Sequence, residues 1–537
     1  MPRSQGLPVC RCRYPMRRSG TESNSLNRRE ARFRRGLAFL VLMCVCVWGV
    51  GGLAARSSVR ADLVYFAKGA EAQVPVTTDG ASIRIDIPGR SFEFLKDDFR
   101  AIVPGHWPER EWKAREAVAL AGGAEARATA AWWALENGLT PQAESMLKSA
   151  HQADPGHQPT ARMVAVLARL AKPCPDPDLE PLLRALGGAS EVARGPHVVL
   201  VHQHTAEEAA ERVDLLERVV TTYYLLFAAQ GIDLALPDHR LASAYFSEHK
   251  DYLAYLRAEN LETFRLTRGY FHPTLNAVLA YDARSSGALK QSGEPLATRQ
   301  RELAAWKSTL ERLPSGRRLQ IQLRGESPRT MSRGQAQKYL EELQRDLSRQ
   351  QLLLELDRRS IDLGTAAHEM VHQLVASSRL APHHDDFPLW LHEGFAAQFE
   401  VIRGGRWAGV GRAHDLRLPD WRVIPRRTSL PLLLEDHGFG RGYQRDSYAQ
   451  AWALVFYLRK ERPQQFLTFL DLLRAPDTRA SRSKNRSASA FRLAFGDDLE
   501  KLQNDWHAFL DGLKTPLEES RKDATSLIPK PGISKPN

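Results

Sequence analysis

Thr365-Ala366-Ala367-His368-Glu369-Met370-Val371-His372-Gln373-Leu374 contains the pattern His-Glu-x-x-His. Residues four apart share one face of a helix, so both imidazoles can reach a single ion. Glu369 points about 100° around the helix from His368, placed to hold a water rather than to bind the metal. Neutral imidazoles favour zinc, and an incomplete protein shell leaves the open position that catalysis needs. The setting agrees with a helix: Met370, Val371, Leu374 and Val375 are apolar, and neither Pro nor Gly interrupts Thr365 to Leu380.

A third ligand is expected. A His-x-x-Gly-x-x-His extension would put Gly and His where Val375 and Ser378 stand, so it fails. The other option is a glutamate on a following helix, and Leu389-Trp390-Leu391-His392-Glu393-Gly394-Phe395-Ala396-Ala397 supplies Glu393. His383, His384, Asp385 and Asp386 lie between the two segments. They read as a solvated loop or as a second metal site, although their spacing fits no common one.

Trp-Leu-x-Glu-Gly-Phe-Ala about twenty residues after His-Glu-x-x-His resembles the glutamate-zincin metallopeptidases, in particular the aminopeptidase-like catalytic domain and its bacterial peptidase-MA-like relatives. The resemblance covers about residues 197–475 and is strongest over 365–400. It implies that His368, His372 and Glu393 hold Zn2+, that Glu369 is general base and acid, and that the reaction is hydrolysis of a peptide bond by a metal-activated water. It also implies a tyrosine on a later helix that stabilises the oxyanion. Tyr448, in Tyr448-Ala449-Gln450-Ala451-Trp452-Ala453-Leu454, matches that segment, with Tyr443 five residues before it. Tyr448 also reads as a plain core aromatic. The Gly-x-Met-Glu-Asn signature of true aminopeptidases is absent, which leaves endopeptidase and aminopeptidase both open. Gly269–Pro273 and Asn276–Tyr281 are candidates for the substrate-facing edge.

Outward from this stretch the chain reads as α+β. The expectation is a zincin-type domain over 197–514, a strand-rich half followed by a helical half, with an insertion near 284–330. His197–His202, Leu241–Phe246 and Ala277–Tyr281 read as strands, and Thr205 with Glu208 reads as a helix cap. Leu340, Leu343 and Leu347 put a long charged helix over Ser332 to Asp357. Before the domain, period-two alternation of Val74, Val76, Ile83, Ile85 and Ile87 gives a small β-module over 62–104, with Asp79-Gly80 at a hairpin turn. Residues 110–172 resemble a tetratricopeptide-type helical hairpin, too short for a free-standing repeat array. Residues 515–537 lack periodicity and read as a disordered tail.

The formal charge of +12 suggests a polyanion partner until it is located: residues 1–60 hold 12 Arg and two acids, leaving +2 for the remainder. Nucleic-acid binding is therefore not expected. Arg28 to Arg35 lead into a charge-free run, Gly36–Ala55, with small residues up to Ala61. Residues 1–61 read as a cleaved signal peptide or as an uncleaved anchor attaching the chain to a membrane. Either implies export to the periplasm or beyond. Of five cysteines only Cys174 lies past the leader, so no internal disulfide is expected. Two functions follow: a zinc peptidase acting on a peptide or protein, or a non-catalytic exported scaffold with a relic peptidase fold. Metal content separates them.

Overall fold

Ser332 starts a helix by a reciprocal cap: its hydroxyl accepts from the Gln335 amide and the Gln335 side chain accepts from the Ser332 amide. The helix then runs unbroken as Arg333–Ser377, 45 residues, and closes at Arg379 in the left-handed region at φ 58°. The charged helix and the His-Glu-x-x-His helix expected from the sequence are thus one rod. The elements that frame the candidate site pack along it. This is a computed structural model. It describes residues 61–527 apart from 80–81, 106, 326, 382–386, 438, 440–443 and 475–484. The chain divides into Met1–Ser58 and Val59–Asn537, and everything described belongs to the second unit. The Arg-rich leader, Tyr443 and His383 to Asp386 lie outside the described residues.

Behind the rod lies a five-stranded sheet, in the order Gly269–His272, Ala277–Tyr281, Leu241–Phe246, Val198–His202, Glu191–Arg194. The middle three strands are parallel and each outer strand is antiparallel to its neighbour. Val198–His202 and Leu241–Phe246 are buried at every position, as nearly continuous apolar strings require when both faces are covered. Ala206–Ala229, capped by Thr205, buries Leu216, Val220, Tyr223 and Phe227 against the rod. Gln373 ties rod to sheet, donating to the Asn276 and Ala242 carbonyls. Taken together, the described residues are mixed α and β.

The 284–330 segment is a second helix, Gly287–Glu311, followed by a hairpin of Arg318–Ile321 with Arg329–Ser332. Leu296, Leu303 and Leu310 recur every seven residues and pack on Ala336, Leu340 and Leu347 of the rod. The result is a two-helix antiparallel arm. Strands between Ala61 and Gly105 form two three-stranded antiparallel sheets, whose shared core takes in Leu352 of the rod. Ala124–Glu136 and Thr140–Ala153 form a helical hairpin flanked by Pro108–Ala121 and Gln158–Leu170.

The disordered tail is corrected for its first half: Pro516–Leu527 is a helix. Thr515 and Glu518 cap it reciprocally, and Leu517 packs against Leu63 and Val103. Ion pairs from Arg412, Arg422 and Arg521 to Glu519, Glu518 and Glu71 pin it. Among the described residues no helix is long and apolar enough to cross a membrane.

Candidate metal centre

The rod projects His368 and His372 from one face, and the short helix Leu389–Ala396 brings Glu393 to them. His368 Nε2 lies 3.1 Å from Glu393 Oε2 and 3.2 Å from His372 Nε2; His372 Nε2 lies 3.6 Å from Glu393 Oε2. Ligands about 2.0–2.1 Å from a tetrahedral zinc would stand about 3.3 Å apart. The triangle fits that edge length, and among the described residues this trio is the one cluster of His, Cys or carboxylate groups close enough to share an ion.

Two close backbone approaches set the geometry. A Cβ on Gly394 would sit 2.4 Å from the Ala451 carbonyl oxygen, so a side chain there would drive Leu389–Ala396 off Gln444–Glu461. That contact fixes Glu393 relative to Tyr448. A Cβ on Gly364 would sit 2.9 Å from the Glu400 carbonyl oxygen. Glycine costs a helix interior about 1 kcal/mol relative to alanine. Here it lets Glu400 close on the rod one turn before His368.

Glu400 then orients the first ligand. Its Oε2 accepts from His368 Nδ1 at 2.9 Å, so when the ring is neutral Nε2 carries no proton and offers its lone pair on the Glu393 side. Its Oε1 accepts from His414 Nε2 at 3.0 Å and Arg417 Nε at 2.6 Å. His414 Nδ1 accepts from the Leu416 and Arg417 amides, so the proton of a neutral ring is on Nε2. Burial disfavours charge on Glu400, yet Arg417, His368 and His414 hold its carboxyl well below the usual carboxylate range. Burial likewise opposes charge on Glu393 and His368. The two imidazoles keep Glu393 ionised, and Glu393 with Glu400 lift the His368 imidazole to about 10. The pocket is built to hold positive charge.

Glu400, His414 and Arg417 were not anticipated from the sequence. If the triangle holds zinc, replacing Glu400 with Gln should weaken that binding about 10–100-fold while the fold is retained, because the carboxylate no longer raises the basicity of His368. Competition titration against a zinc chelator measures it; unchanged affinity would show that Glu400 serves only packing.

Residues 362–477 match a family model described as "Protein of unknown function (DUF1570)". No curated protein matches the chain, and no solved structure does. The matched segment contains His368, Glu369, His372, Glu393, Glu400, His414, Arg417 and Tyr448, but none of the sheet.

Glu369 faces a cavity of about 390 Å³ together with His372, Glu393 and Tyr448. Burial, with Glu393 adding, pushes its carboxyl above the usual carboxylate range, while the two imidazoles and the Phe271 amide pull it back. Tyr448 lies with its ring centroid 6.1 Å from that of His368, and its hydroxyl is hydrogen-bonded to Glu393. Burial, with Glu393 and Glu369 adding, holds that hydroxyl well above the usual phenol range, so it is a donor. Arg417 stacks 5.3 Å from the ring centre. The edge strand Gly269–His272 lies over the cavity, as does Asn276. His392 is buried beside His372, ring centroids 5.8 Å apart.

Proposed function

We propose that the chain is an exported zinc peptidase with a zincin-type fold, in which His368, His372 and Glu393 hold the metal. The observation that carries this reading is the ligand-sized triangle beside a half-buried carboxylate, Glu369, that belongs to the same cavity but not to the triangle. Bound there, zinc would supply Lewis acidity, polarising a carbonyl and lowering the pKa of a water.

The chain's own groups supply the rest. Glu369, with its raised pKa, takes the proton of the attacking water and passes it to the leaving amine. Tyr448, held protonated, donates to the oxygen on which negative charge builds. The strand Gly269–His272 ends its sheet, so one edge is free to pair with an extended peptide.

Tyr448→Phe tests the assignment with the ring retained. Loss of one such donor costs about 3 kcal/mol of transition-state stabilisation, so turnover of an unfolded protein substrate should fall about a hundredfold or more at unchanged zinc content. Full activity in that variant would place the oxyanion donor elsewhere, with Tyr443 next to be tested.

A further inference from the structure

Resting on the peptidase reading, we infer that the substrate is an extended polypeptide segment cut internally, with a carboxylate read by Arg268 on one side of the metal and a large apolar side chain on the other.

The inference begins with the groove. A second cavity, of about 520 Å³, lies on the other side of the centre and shares Thr267, Gly269, Glu369 and Tyr448 with the first. The edge strand follows the rod: Gly269 abuts Thr365, the Phe271 amide reaches Glu369, and the Asn276 carbonyl meets Gln373. The two cavities therefore join end to end along the rod, from Ser360 to Ser377. At about 1.5 Å per helical residue this is about 25 Å, the length of about seven extended residues at roughly 3.3 Å each. The reactive groups lie near its middle, so a bound chain runs past them in both directions.

The two halves differ in chemistry. Beyond His372 the wall is more apolar: Phe264 and Tyr270 stack with centroids 4.5 Å apart beside Pro273, Ala376 and Ala381, with Asn276 and Ser377 as uncharged polar members. Toward Ser360 the wall is charged, but its acids are already engaged. Glu400 serves His368, His414 and Arg417, Asp415 pairs with Arg403, and Asp420 pairs with Arg445. Arg268, exposed and next to the edge strand, has no ion-pair partner among the described residues. It is the cation left for substrate. Leu266 at 78% exposure and Leu416 at 62% flank the same end, apolar rims suited to a continuing chain. Among the described residues, no unengaged carboxylate lines either cavity to hold a free α-amino group, apart from Glu369 at the centre.

The carboxylate read by Arg268 is either an Asp or Glu side chain or the C-terminus of a substrate. The test incubates the full-length, zinc-loaded protein with a library of peptides of ten or more residues, half of them C-terminally amidated, and maps the cuts by mass spectrometry. Internal cuts are expected, with acidic residues enriched on one side and large apolar residues on the other. Amidation abolishes the carboxylate preference only if the C-terminus is its source. Arg268→Glu should reverse the preference from acidic to basic by at least tenfold, leaving the apolar preference in place. Ala376→Phe, filling the apolar cavity from the rod, should reduce selection of Phe and Leu over Ala by a similar factor.

Binding of labelled decapeptides to zinc-loaded Glu369→Gln, followed by anisotropy, reads the same preferences without turnover. Cuts that only trim termini, or preferences that neither Arg268→Glu nor Ala376→Phe alters, overturn the groove assignment and leave the peptidase reading intact. Discriminating binding without cleavage by the wild type overturns the peptidase reading and leaves the groove. Neither binding nor cleavage overturns both.

Discussion

On the proposed peptidase reading, Glu369→Gln should keep the zinc content of the chain and lower turnover by about a thousandfold, within the range of about 10²–10⁴ for loss of a general base. The separation follows from the geometry. Glu369 is outside the triangle of His368, His372 and Glu393, so a metal held there would not depend on it. The stability readout distinguishes this from a structural role. Burial penalises the Glu369 charge, so a neutral isostere should leave the thermal midpoint unchanged or raise it. Parallel metal analysis, thermal melts and peptide hydrolysis check all three. An active Glu369→Gln enzyme would remove Glu369 from the mechanism. A relic scaffold would gain nothing from keeping a carboxylate half-buried at this point.

Glu393→Ala should behave in the opposite way and lose the metal. Even an outer partner of a ligand is worth about 10–100-fold in affinity, so removal of one of three direct ligands should cost more than about a hundredfold. Turnover then fails because zinc is absent, and excess zinc should recover only part of it. The fold should survive, since Leu389–Ala396 is held by Trp390 and Phe395 in the core and by the Gly394 contact with Ala451. Zinc affinity equal to wild type would exclude Glu393 as the third ligand, and His383 to Asp386 would become the next candidates.

The parts of this centre legible in the sequence are those set by local periodicity. His368 and His372 are one helical turn apart, and the short, nearly continuous apolar runs Leu241–Phe246 and Ala277–Tyr281 mark strands at the bounds the structure shows. Glu393 was reachable because its helix carries a compact apolar pattern around one acid. Glu400, His414 and Arg417 were not. Glu400 and His414 come from irregular backbone between the helices and Arg417 opens a short one, so they meet His368 only through tertiary packing. One signal was present: Gly364, costly inside a helix, marks the close approach of Glu400. Treating Ser332 to Asp357 and Thr365 onward as separate elements hid it, because an unbroken rod makes the glycine conspicuous. The tail was misread for a related reason. Thr515-Pro516-Leu517-Glu518 is a capping box with Pro at the first helical position, a start signal outweighed by the polar composition that follows.

The most direct test of the zinc assignment is the metal content of the purified wild-type chain, measured by elemental analysis after zinc loading and desalting. The account predicts close to one zinc per chain, falling to near none in Glu393→Ala and staying near one in Glu369→Gln. A wild-type chain that retains no zinc, or a triangle variant that retains as much as wild type, would contradict it.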